Sequence, residues 1–136
     1  MNKTYMMLAA LALTLASQAQ AGVVVVSAKS PATEMDAEGV RRVFLGREQK
    51  VGGAPVQLIY QKGGDVRTAF DKGVLNKPGA ELVTYWSRLI FTGKAKAPTE
   101  VDSDADVKAK LAASPGAIGY ISDGAVDASV KVLHKF

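Results

Sequence analysis

Four consecutive valines, Val23 to Val26, constrain the fold of this chain more than any other stretch. β-branched side chains lose little in an extended backbone and crowd a helix. The run "GVVVVS" shows no alternation with polar residues, so it reads as a strand buried on both faces rather than one with a wet side. Such a strand belongs in a sheet covered by helices above and below. The downstream sequence supplies them.

Asp36 is placed to cap a helix that carries Val40, Val43 and Phe44 on one face, with Gly46 ending it in a left-handed turn. "REQKVGGAP" reads as a turn-rich connection and "PVQLIYQ" as a second strand. Val66, Ala69, Phe70 and Val74 form an apolar face at helical spacing, so a helix begins near Asp65. "NKPG" at 76–79 breaks it. "AELVTYWSRLIFTG" is the next helix, with Leu82, Tyr85, Trp86, Leu89 and Ile90 inward and Gly93 as the stop. Phe44, Phe70, Tyr85, Trp86 and Phe91 read as core aromatics. "KAKAPTEV" reads as loop. Ser103 can cap "DADVKAKLAAS", which sets Asp104 and Asp106 at the positive helix end. "AIGYIS" and "SVKVLHKF" read as the third and fourth strands. Strands alternating with helices predict an α/β domain, a mostly parallel central sheet flanked by helices.

The first 21 residues read as a cleaved signal peptide. Lys3 gives a positive start, "TYMMLAALALTLA" is too short for a comfortable membrane span, and Ala19-Gln20-Ala21 offers a small-x-small cleavage site. Their removal from the 136 residues leaves 115, read as a single domain over 22–136 in the periplasm. The chain has no cysteine. No disulfide or thiol-linked lipid is available, and the core alone must hold the domain. The formal charge of +4 is mild and the basic residues are scattered, which excludes nucleic acid as the expected partner.

Nothing in the sequence argues for catalysis. There is one histidine, His134, no cysteine nucleophile, and no Walker, HExxH or GxSxG pattern. Acidic residues at 102, 104 and 106 alternate as in a calcium loop, but the glycine and final glutamate of that loop are missing, so a capping turn is the better reading. The chain is read as a non-enzyme without metal or cofactor.

The stretch "QKGGDVRTAF" at 61–70 stands out. Open α/β sheets bind ligands at the carboxyl ends of their strands. Glycines there let successive N–H groups form an anion-holding concavity, and the following helix adds its positive end. A plain strand-turn-helix connection with Asp65 as cap is the competing reading.

Four segments in order, "GVRRVFLGREQ", "VQLIYQKGGDVRTAF", "YWSRLIFTGK" and "SPGAIGYIS", resemble the phosphate-binding proteins of ABC phosphate importers. Those proteins carry an "IF.GK" helix end, an "R..GSGT..F" loop and a "PGAIGYV" strand. The resemblance covers roughly residues 23–133 and corresponds to the second of two lobes. It implies a single periplasmic-binding-protein-like lobe that holds phosphate or a related oxyanion. It further implies importer membrane subunits or another periplasmic protein as partners, with a second copy of the chain as a further partner. The alternative is an interaction or regulatory module that no longer binds phosphate. Gly63 or Gly64 matches the loop glycine and Asp65 falls at or beside a hydroxyl position. The upstream arginine has no counterpart among Tyr60, Gln61 and Lys62. Lys62 can supply its charge as a point charge, and Arg67 is a second candidate. The expected ligand contacts are therefore Lys62, Gly63, Gly64, Asp65, Val66, Arg67 and Thr68, with Ser27 and Ser122 at neighbouring strand ends.

Overall fold

The computed structural model describes residues 21–136. The expected leader lies outside them, apart from its last residue. No helix among the described residues is long and apolar enough to cross a membrane.

The valine run is β1 (Gly22–Ser27), and its four valines are 0–2% exposed. Alternate side chains enter two separate cores. Val24 and Val26 pack with Val40, Val43, Phe44, Tyr60, Phe70, Trp86 and Tyr120, while Val23 and Val25 pack with Ile59, Val107, Leu111 and Ile121. The first core lies under α1 (Ala37–Phe44), α2 (Asp65–Phe70) and α3 (Gly79–Phe91), and the second under α4 (Asp104–Ala113). The helices thus flank the sheet on both faces, as expected of a strand with no polar side.

β4 (Gln57–Gln61), β5 (Thr99–Val101), β6 (Ala117–Ser122) and β7 (Val130–Lys135) complete a five-stranded sheet in the order β5-β4-β6-β1-β7. β4 runs parallel to β5 and β6, whereas β1 is antiparallel to both β6 and β7. The other four strands therefore point one way and β1 alone points back. Gly22 pairs with Ser122 and Val26 with Ile118. The start of β1, not its end, lies beside the end of β6.

Both expected caps form. Asp36 Oδ1 accepts from the Gly39 N–H at 2.7 Å, and Ser103 Oγ from the Asp106 N–H at 3.2 Å. Three departures are local. "REQKVGGAP" contains a short hairpin, β2 (Lys50–Val51) and β3 (Ala54–Pro55), turned by Gly52 and Gly53 at φ 60° and 82°. Part of "KAKAPTEV" forms the edge strand β5. On α3, Ile90 and Phe91 do not enter the core: they are 44% and 93% exposed.

Gly119 marks a close approach of α4 to the sheet. A Cβ there would stand 2.7 Å from Val107 Cγ1 and 3.3 Å from the Ile59 carbonyl oxygen. Val107 is fully buried and cannot step aside. Gly119→Ala is expected to cost about 1–3 kcal/mol by overpacking, read as a lower urea midpoint with an unchanged slope.

Candidate functional site

The candidate site grows from the end of β4. Gln61 is buried and held on every side. Its N–H donates to Tyr120 Oη at 3.0 Å, and its Nε2 donates to Asp104 Oδ1 at 2.7 Å and to the Tyr120 carbonyl at 3.0 Å. Its own carbonyl accepts from Arg67 Nη1 at 2.6 Å. Lys62 then donates its N–H to the Val101 carbonyl at 2.9 Å, the last ladder bond before the chain leaves the sheet. Asp104 Oδ1 also accepts from the Ser122 N–H at 3.1 Å. One carboxylate so ties the ends of β4 and β6 to the start of α4.

Gly63 and Gly64 form the exit turn. Gly64 has φ 94° and ψ 175°, a region open to glycine alone, and occupies the cap position of α2. Asp65 is the first helical residue; the cap position falls on Gly64, which has no side chain to offer, and no hydrogen bond to the Asp65 carboxylate is present among the described residues. This corrects the reading of Asp65 as the cap. The N–H groups of Gly63, Gly64, Asp65, Val66 and Arg67 have no acceptor among the described residues; the first satisfied amide is that of Thr68, bonded to the Gly64 carbonyl at 3.1 Å. Lys62, Gly63, Gly64 and Asp65 are exposed, and a Cβ on either glycine would meet nothing within 4 Å. Unpaired N–H groups at a helix start carry partial positive charge directed outward. The turn is open, and its amides are available to an acceptor from solvent.

The charged side chains of the stretch are otherwise engaged. Arg67 Nε donates to both oxygens of Asp71, at 3.0 and 2.9 Å, and its guanidinium lies 5.0 Å from the centre of the Tyr60 ring. The pair is secluded, with side chains 18% and 10% exposed. Burial pushes the Asp71 carboxyl above its ordinary range, and the Arg67 hydrogen bonds pull it partly back. Burial works against the charged guanidinium too, but Asp71 together with the phenols of Tyr120 and Tyr60 more than offsets it. Burial likewise pushes both neighbouring phenols, Tyr60 and Tyr120, upward, so they remain neutral hydrogen-bonding groups. The guanidinium expected to meet an anion is thus a strut beneath the turn, joining Gln61 to Asp71. Asp71 opens a π-helical turn (Asp71–Leu75) that continues α2.

Lys62 Nζ lies 3.4 Å from Asp102 with both side chains largely in water, a pairing worth little. Thr68 Oγ1 donates back to the Gly64 carbonyl at 3.2 Å. Ser122 stands at the same end of the sheet, next to Asp104. Ser27 does not: because β1 runs backwards, Ser27 pairs with Val130 at the opposite end. Ser27 is therefore not brought together with the turn.

Four groups that organise the turn, Gln61, Asp71, Asp104 and Tyr120, were not among the expected site residues. Only one left a signal in the sequence, the i,i+4 spacing of Arg67 and Asp71. A cavity of about 810 Å³ lies elsewhere. It is bounded by Gln57 and Leu58 at the start of β4, by Trp86, and by the connection from Gly93 to Thr99. It has no part of the glycine turn in its wall.

No family model matches the chain, and no curated protein matches it. Solved structures do. A protein described as a phosphate ABC transporter substrate-binding protein, from Clostridium perfringens and solved with bound phosphate, superposes with a TM-score of 0.66 at 18% identity, over 84% of this chain and 44% of that one. An ABC-type phosphate transport receptor from Vibrio cholerae gives 0.63 at 18% identity, over 85% and 46%. PstS from Borrelia burgdorferi gives 0.62 at 18% identity, over 84% and 46%. The likeness is one of fold, and this chain spans less than half the length of each.

Proposed function

We propose that the chain is a periplasmic solute-binding lobe that holds a protonated oxyanion, with inorganic phosphate as the reference ligand, for delivery to an ABC importer. The observation that supports this most is the open turn. Several main-chain amides at a strand's exit lack any internal acceptor, and the nearby carboxylate does not occupy them. The fold shared with proteins described as phosphate receptors points the same way.

With Arg67 tied to Asp71, the donors left for an anion are neutral N–H groups and the exposed Lys62 ammonium, which its weak pairing with Asp102 does not hold. Asp65 stands among them. It repels any anion but can accept a hydrogen bond from one that still carries a proton. Phosphate carries a proton near neutral pH, and sulfate does not. Isothermal titration at pH 7 is expected to give heat with phosphate and a weaker response with sulfate. Asp65→Asn removes one charge close to the ligand, worth about 1 kcal/mol in water. It should narrow the preference for phosphate over sulfate by about fivefold. No heat with millimolar phosphate refutes the reading.

A second reading follows from the same ion pairs. With no guanidinium free at the turn, the lobe serves as an interaction or regulatory module docking on another periplasmic protein. Absence of heat with every oxyanion, together with recovery of one defined partner from periplasmic extract, supports that alternative.

A further inference from the structure

The outward side of α3 plays no part in the turn just described. At about 100° per residue, Ala80, Val83, Thr84, Ser87, Ile90 and Phe91 share one side of the helix, away from buried Leu82 and Trp86. All six are exposed, and none carries a charge. Phe91 is 93% exposed and Val83 68%, values that leave two large apolar side chains in water with nothing over them. The two charged residues of the helix, Glu81 and Arg88, lie together on one flank. Neither has an ion-pair partner among the described residues.

We propose that this face joins two copies of the chain through antiparallel α3 helices related by a two-fold axis at the level between Thr84 and Ser87. A two-fold interface must be self-complementary, and this face is. Thr84 of one copy meets Ser87 of the other, so the helices approach closely at the centre. Phe91, the largest group, falls against Ala80, the smallest. In an antiparallel pair the same flank of each helix meets itself reversed. Glu81 of each copy therefore faces Arg88 of the other, two ion pairs that a single copy cannot make. A membrane surface is the poorer occupant, because the face itself holds no basic residue. One face of a helix about 20 Å long buries less than the roughly 800 Å² per partner of a standard stable interface. The dimer is therefore reversible and forms in the micromolar range or above.

Sedimentation velocity of the purified protein across micromolar to millimolar concentration tests this. The wild type is expected to pass from monomer to dimer. Phe91→Glu, on a side chain already in water, should remain monomeric and folded by circular dichroism. Glu81→Arg should weaken dimerisation by about tenfold, and Glu81→Arg with Arg88→Glu should restore it. A wild type that stays monomeric throughout overturns the proposal. So does a dimer that survives Phe91→Glu, or a double reversal no better than the single. A monomer that floats with anionic lipid vesicles, but not as Phe91→Glu, assigns the face to a membrane and overturns it equally.

Discussion

Gly64→Ala is expected to weaken phosphate binding by roughly tenfold to a hundredfold, while Gly63→Ala leaves it close to wild type. The two residues are adjacent, both exposed, and both have open space where a Cβ would go. They differ in backbone. Gly64 sits at φ 94°, ψ 175°, and Gly63 is not among the positive-φ residues. A side chain at 64 thus meets no atom but strains its own peptide, at a cost of about 1–3 kcal/mol. The chain relieves that strain by rotating the peptides on either side, which reorients the amides of Gly64 and Asp65. Losing one hydrogen bond to a charged ligand costs about 1.5–3 kcal/mol, and this sets the range of affinity lost. Alanine at 63 is strain-free and trims the entropy of the unfolded chain, a gain of about 0.4–1 kcal/mol at most. Paired urea melts and phosphate titrations check both variants. Equal stability of the two contradicts the turn geometry. A destabilised Gly64→Ala that binds phosphate as well as wild type moves the ligand away from this turn.

The contrast between these glycines also shows where a sequence stops being informative. "QKGGDVRTAF" announces a strand exit, a turn and a helix start, and all three form where expected. Periodicity carries that information, because burial of one helix face depends on local spacing. The same logic places Val40, Val43 and Phe44 in the core and gives Asp36 and Ser103 their caps. It cannot assign which glycine takes the left-handed backbone, because either one satisfies the pattern. Nor can it give strand order. β1 inserts backwards between β6 and β7 through pairings that join the two ends of the domain, such as Gly22 with Ser122 and Val23 with Lys135, and this alone removes Ser27 from the site. Phe91 departs from the pattern for a different reason. Apolar character alone predicts burial, yet at the helix end its angular position points it outward. A surface can hold a large apolar group when something else is to cover it. β5 was too short, at three residues, to show a period.

The role of Arg67 separates most sharply from its expected one, and it yields the largest stability effect. Arg67→Met is expected to cost about 3–5 kcal/mol, because it leaves a buried carboxylate at Asp71 without its partner. Replacing both members, Arg67→Met with Asp71→Leu, should recover most of that loss, since an apolar pair of similar volume needs no compensation. The pH dependence fixes the mechanism. Burial already raises the folded pKa of Asp71 above its unfolded value, so its ionised form is the strained one and the folded protein binds the proton more tightly. Stability attached to this group therefore falls as pH rises through the folded pKa, and is regained as pH drops toward the ordinary carboxylate range near about 4. Without Arg67 the folded pKa climbs further. The deficit of Arg67→Met should be full at pH 7 and shrink on acidification, whereas the double variant should show no such trend. Arg67 also clamps the Gln61 carbonyl at 2.6 Å, two residues before Gly63 begins the turn. The apolar pair cannot replace that bond. The double variant is thus expected to regain stability without regaining phosphate affinity, which separates the strut's contribution to the fold from its contribution to the turn. Urea melts at pH 5 and pH 7 with titrations of all three variants measure both. A double variant as unstable as Arg67→Met itself rules out the ion pair as the cause.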